Sequence, residues 1–229
     1  MAAVTAGTRF SETNLPAELY GQYTTIEYSL QRSPHPPPAM LFVVDTCVTE
    51  EEMGVVRDTL QQCLNLLPET TSVGLVAYGT NVQVFEPGFA ECTKSYVFRG
   101  SKDYSLDQVQ DFLGLRSRAP IAAQTAPTTP GVVAAPVSAP APSLAASRIM
   151  QPLSECSLTM EALITSLPRD PWPVKSGDRP VRCTGTALSV AVSMLESLHK
   201  GLGGRIVLLT GGAPTTGPGQ VGIHSSTSV

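Results

Sequence analysis

The chain has 229 residues, enough for one substantial domain with loops or for two small ones. Only 15% of it is charged, its 20 prolines and 19 glycines are many for a compact fold, and a net charge of −4 with scattered lysines and arginines disfavours nucleic acid as a partner. No window approaches the roughly 18 consecutive apolar residues of a membrane span, and residues 1–10 lack the basic and apolar regions of a signal peptide, so the chain is expected in the cytosol.

Residues 1–38 read as a leading segment. The run 23–28 (YTTIEY) has strand propensity and apolar alternation, and SPHPPP at 33–38 breaks it. Residues 39–44 (AMLFVV) are continuously apolar up to Asp45, the pattern of a central strand buried on both faces of a parallel sheet. Thr49 followed by Glu50, Glu51 and Glu52 reads as an N-cap with an acidic first turn. Met53, Val56, Leu60, Leu64 and Leu67 then recur at helical spacing until Pro68. A second buried strand is expected at 72–78, a tight turn at 79–81, and a third strand at 82–85. A helix is expected over 105–115, with Leu106, Val109, Phe112 and Leu113 on one face.

Between 117 and 147 the composition collapses to Ala, Pro, Thr, Ser and Val, which predicts a disordered or polyproline-like loop. Helical spacing returns at 157–167. The stretch 168–180 (PRDPWPVKSGDRP) reads as an extended connection, and 184–199 as an amphipathic helix. Residues 205–210 form another buried strand, 211–219 a loop, and 222–229 a polar tail that packs against nothing. This order predicts a doubly wound α/β sheet over residues 39–221. A last strand with no helix after it is expected to leave a bare edge, as in a domain incomplete at its C-terminal end or completed by a partner.

In an open parallel sheet, function gathers at the carboxyl ends of the strands, here 45–49, 184–186 and 210–212. That layout resembles a von Willebrand factor A domain, whose metal site uses a D-x-S-x-S loop, a threonine from a second loop and an aspartate from a third. Here the positions hold Asp45, Cys47 and Thr49, then Thr184 and Thr186, then Gly211. A sulfur has replaced one oxygen and a carboxylate is missing, so a hard cation is not expected. Asp45 is instead expected to cap the following helix or to bond backbone amides.

The glycine-rich stretch 211–219 lacks a following lysine and contains two prolines, which makes it a turn rather than a phosphate cradle. Five cysteines (Cys47, Cys63, Cys92, Cys156 and Cys183) without any CxxC argue against a disulfide framework and against structural zinc. His35, His199 and His224 sit where no nucleophile–base pair is expected. His199 reads as a helix-end residue favoured by the dipole. A catalytic reading would make Cys47 a nucleophile whose thiol is acidified at a helix N-terminus. A metal-dependent adhesion domain built on Asp45, Thr49 and Thr186 is the other alternative.

Particular strings carry a further resemblance. LPAEL with QYTTIEY, FVVDTC followed by three glutamates, RDPWPV, RCTGTALSVA and GG-x-P-x-x-GPGQ occur here in that order. In this the chain resembles, over residues 13–221 apart from the Pro/Ala-rich loop, the GTPase-activating inner-coat subunits of the COPII vesicle coat, the Sec23 family. The resemblance implies a trunk domain that pairs with a cargo-binding coat subunit and a Ras-like coat GTPase, peripheral to the cytosolic side of the endoplasmic reticulum membrane, in export to the Golgi. The family's four-cysteine zinc finger has no counterpart here, so no cofactor is expected. The helical and gelsolin-like domains that supply the arginine finger would lie beyond Val229, so the chain is expected to be no enzyme. Its residues 222–229 leave the family pattern, as a partial or alternative product would.

Overall fold

The computed structural model describes residues 19–25, 27, 37–88, 92, 94–116, 146–199 and 203–221. The chain divides into two compact units, 1–36 and 37–229. In the first, the amide of Tyr23 donates to the carbonyl of Tyr20 at 3.0 Å, and the two rings meet edge to face at 5.9 Å. The turn ends where the strand expected at 23–28 would begin; its described residues, 23–25 and 27, carry no strand, and 26 and 28 lie outside the described residues. The Pro/Ala-rich loop 117–147, apart from its last two backbone positions, and the tail 222–229 lie outside the described residues.

In the second unit the order is β1 (Ala39–Asp45), α1 (Glu50–Leu66), β2 (Ser72–Tyr78), β3 (Asn81–Phe85), β4 (Ser95–Arg99), α2 (Leu106–Phe112), α3 (Ala146–Ile149), β5 (Gln151–Pro152), α4 (Leu153–Thr165), α5 (Thr184–Leu198) and β6 (Arg205–Leu209). The strands form one mixed sheet in the order β4-β3-β2-β1-β6. β1 runs parallel to both β2 and β6, with Val43 opposite Val76 and Leu208. Antiparallel β3 takes one half of β2's outer edge, at Val76–Tyr78, and β5 takes the other, at Ser72 and Val73. The doubly wound α/β architecture read from the sequence is therefore present.

Strand alternation sorts the core into two layers. Leu41, Val43, Val76 and Tyr78 pack with Val109 of α2 and with Ala187, Val190, Ala191 and Met194 of α5. Phe42, Val44, Leu75 and Ala77 face the other way, onto Met53, Leu60 and Leu64 of α1 and Met160, Leu163 and Ile164 of α4. Burying each large apolar side chain stabilises by roughly 1.5–3 kcal/mol. No described helix is long and apolar enough to cross a membrane.

Several elements depart from expectation. β6, read as a buried strand over 205–210, spans Arg205–Leu209 with no fully buried residue, because it is the edge of the sheet and pairs only with β1 among the described residues. The short α3 was not expected. α4 begins at Leu153, four residues early, because Leu153 and Cys156 continue the buried Met160–Leu163–Ile164 face back to Pro152 at the N-cap. β4 was not anticipated, since only Phe98 of its five residues is buried. The two-residue β5 exists only through its pairing with β2.

Candidate site at the carboxyl end of the sheet

The ends of β1, β2 and β6 and the start of α5 converge, and the loops that follow them are pinned to one another by side chains. Thr46 extends the β1–β2 ladder, its amide and hydroxyl both donating to the carbonyl of Tyr78, at 2.8 and 3.0 Å. Thr49 then caps α1 in a complete capping box: its hydroxyl accepts from the amide of Glu52 at 3.3 Å, and the Glu52 carboxylate accepts from the amide of Thr49 at 2.8 Å. Those bonds hold the Glu52 carboxyl below its usual range. The cap is thus Thr49 and not Asp45.

Asp45 is buried, and its carboxylate is fully engaged. Oδ1 accepts from the amide of Cys47 at 2.8 Å, while Oδ2 accepts from the amide of Gly211 at 2.9 Å and from Nε of Arg182 at 2.7 Å. The Arg182 guanidinium also donates to the carbonyl of Cys47. Its backbone is held as firmly: the amide donates to the Thr215 hydroxyl at 2.7 Å, and the carbonyl accepts from the amides of Thr215 and Thr216. Arg182 therefore clasps the β1–α1 loop to the loop after β6 from a position just before α5.

Two glycines make the clasp possible. A Cβ at Gly212 would lie 2.7 Å from Nη1 of Arg182, and one at Gly211 would lie 2.7 Å from the Val48 side chain. The absence of side chains there lets the backbone come down onto the guanidinium.

The residues singled out from the sequence separate into two groups. Asp45, Cys47 and Gly211 meet around Arg182. Thr49 serves α1 alone. Thr186, completely buried, turns away and donates its hydroxyl to the carbonyl of Gly100 at 2.7 Å, tying α5 to the β4–α2 connection. The hydroxyls of Thr49 and Thr186 are thus engaged with Glu52 and Gly100, not with Asp45.

Cys47 does not have the acidic thiol a nucleophile needs. Burial, then the carboxylates of Asp170 and Asp45, push it up to about 12, with the Arg182 charge opposing only weakly. Its sulfur lies 3.4 Å from the carbonyl of Val181 and 3.6 Å from Oδ2 of Asp170. His199, at the C-cap of α5, has its imidazole pushed down from its ordinary value by burial.

Sequence reasoning missed Arg182 and Asp170. Oδ2 of Asp170 accepts from the amide and hydroxyl of Thr80, at 3.1 and 2.7 Å, and its amide donates to the carbonyl of Thr46 at 3.0 Å. Both residues stand at the ends of the proline-punctuated connection, and only their position beside the converging loops marks them. Among the described residues no group of three or more His, Cys, Asp or Glu side chains is placed to hold a metal.

Comparison with known proteins places this geometry. The Sec23/Sec24 trunk domain description matches residues 35–228. Protein transport protein SEC23 F of Arabidopsis thaliana is 45% identical over 217 residues, covering 92% of this chain and 27% of the relative, so the chain spans about a quarter of that relative's length. The human COPII-coat protein Sec24c shares the fold, with a TM-score of 0.50 at 14% identity over 82% of this chain and 21% of that one.

Proposed function

This chain belongs to the Sec23/Sec24 trunk domain family, and from that membership we propose that it acts as a COPII vesicle-coat component in protein transport from the endoplasmic reticulum to the Golgi. The role proposed is that of a binding scaffold. It would pair with the cargo-binding coat subunit and the Ras-like coat GTPase, as a peripheral protein on the cytosolic side of the endoplasmic reticulum membrane and of coated vesicles. The observation that carries this reading is the 45% identity to a protein-transport relative across nearly the whole chain. Although family relatives activate a GTPase, we assign none of the arginines described here as a catalytic finger. Arg182, the one closest to a built site, is committed to Asp45 and Cys47.

The clasp also supports a scaffold without a resident cation. A guanidinium already neutralises Asp45, so a divalent ion would have to displace it from a buried carboxylate. Calorimetry with magnesium or manganese is expected to show no binding. A tight, stoichiometric signal would favour the metal-dependent adhesion reading instead.

The coat reading is tested by co-purification with the cargo-binding coat subunit, comparing this chain with a version extended to the length of its relatives. Failure of the extended version to bind would overturn it.

A further inference from the structure

The outer face of α1 and α4 carries apolar side chains that the core does not use. Inward, α1 buries Met53, Leu60 and Leu64, and α4 buries Met160, Leu163 and Ile164. Outward, Leu66 is 85% exposed, Leu158 80% and Val55 65%. A single exposed leucine is ordinary on a protein surface, but these stand together. The side-chain amide of Gln61 donates to the Thr165 hydroxyl at 2.9 Å, and the Arg57 guanidinium donates to the carbonyl of Leu167 at 2.8 and 3.1 Å, so the two helices run antiparallel with these bonds across their seam. At a helical rise of 1.5 Å per residue, Leu66 lies about 7.5 Å beyond Gln61, and Leu158 about 10.5 Å from Thr165 in the same direction. The two leucines are therefore nearly level on neighbouring helices. Val55 lies about three turns before Leu66, on the same side of α1.

Charge around these side chains has one sign. Glu51, Asp58, Glu69, Glu155 and Glu161 are exposed and form no salt bridge among the described residues. Arg57 is the one cation of the two helices, and Glu50 and the carbonyl of Leu167 already occupy it. This pattern selects among occupants. A second copy docked face to face about a two-fold axis would set the unpaired carboxylates against their own counterparts, and an anionic membrane surface would be repelled. A cationic partner with aliphatic side chains satisfies both the carboxylates and the leucines. The seam between two packed helices accommodates a third helix lying along it.

We propose that the α1–α4 face is a docking surface for a basic amphipathic helix of a partner protein, whose aliphatic side chains pack on Leu66 and Leu158 and whose lysines or arginines face Asp58, Glu155 and Glu161. The leucines supply the anchor, and the carboxylates the encounter rate and the choice of partner. This surface is separate from the clasp, and the inference does not rest on the coat reading.

The probe is a fluorescently labelled peptide with Leu at helical spacing on one face and Lys on the other, titrated with the whole chain at about 0.15 M salt and followed by anisotropy. A scrambled peptide of the same composition and the Glu-for-Lys counterpart are run beside it. Saturable binding of the amphipathic Lys peptide alone is expected. Leu66→Ser/Leu158→Ser is expected to weaken it about tenfold or more with an unchanged thermal midpoint, since neither side chain is buried. Glu155→Lys/Glu161→Lys is expected to weaken it to a similar degree, about tenfold. Asp103→Lys/Asp178→Lys makes the same change of charge at exposed positions away from this face, and is expected to weaken it no more than about twofold. The proposal is overturned if the amphipathic peptide does not bind, if the scrambled or Glu peptide binds as tightly, if the leucine variant binds as the native chain does, or if the Asp103/Asp178 pair weakens binding as much as the Glu155/Glu161 pair. Sedimentation showing a dimer that Leu66→Ser/Leu158→Ser dissolves would also overturn it, by giving the face to a second copy.

Discussion

Nε of Arg182 lies 2.7 Å from Oδ2 of Asp45 across 137 positions of sequence, with the two side chains 10% and 1% exposed. A pair this buried is costly to break one member at a time, because the survivor is left charged and dry. Arg182→Ala is expected to destabilise the fold by about 3–5 kcal/mol, and Arg182→Lys to recover little of it, since one ammonium cannot reach both Asp45 and the carbonyl of Cys47. The double variant Asp45→Leu/Arg182→Met is expected to be far less harmful than the sum of its parts. Urea unfolding of the parent chain, Asp45→Leu, Arg182→Met and the double variant checks this through the coupling energy.

The same environment predicts the reactivity of Cys47. With its thiol pushed up to about 12, almost no thiolate exists near neutral pH. Alkylation with iodoacetamide, followed by mass spectrometry, is expected to modify the exposed Cys92 well before Cys47. Removing the neighbouring charge with Asp170→Asn is expected to speed Cys47 modestly, because burial, the larger cause, remains. Modification of native Cys47 as fast as a free thiol would contradict the buried, carboxylate-flanked geometry.

Why β2 could be read to the residue and β1 to within one, and the clasp could not, follows from how far each depends on distant partners. AMLFVV is apolar throughout and SVGLVAY at all but Ser72, because both of their faces are covered, which is written locally. Thr49 and Glu52 likewise meet within one helical turn. β4 buries only Phe98, so its pattern reads as loop until β3 is beside it. Arg182 and Asp170 sit among prolines, a context that reads as solvent-exposed connection, and nothing local says that Asp45 and Thr80 wait for them. The usable clue was topological: Arg182 directly precedes Cys183 and Thr184, at the end of the sheet where three strands discharge their loops.

The close approach at Gly185 gives a third expectation. A Cβ built there would clash with the carbonyl oxygen of Pro218, a backbone atom that no rotamer change can move. Gly185→Ala is therefore expected to force the loop 211–221 off the start of α5, at a cost of about 1–3 kcal/mol despite alanine's better helix propensity. Gly54, on α1 with open space at its Cβ, is the matched control, and Gly54→Ala is expected to stabilise by up to about 1 kcal/mol. Thermal melts of the two variants should move in opposite directions, and limited proteolysis should cut the loop 211–221 sooner in Gly185→Ala alone.

Acid should weaken the fold in two steps that can be assigned to separate groups. His199 is half-buried and its imidazole is pushed below its ordinary value by burial, so the folded state binds fewer protons than the unfolded one. The stability this group confers is complete above the unfolded value near 6.5 and is lost as pH falls through the lower folded value. Glu52 is lowered by its bonds to Thr49, so its contribution holds above the ordinary carboxylate range and disappears only as pH falls below it. Thermal midpoints measured from pH 8 to pH 3 are expected to decline first with the histidine and then more steeply as carboxylates protonate. His199→Gln should flatten the upper decline and leave the lower one, whereas Glu52→Gln should leave the upper one and lessen only part of the lower. A midpoint that rises as pH drops from 7 to 5, in the native chain but not in His199→Gln, would mean that the helix dipole governs His199 after all.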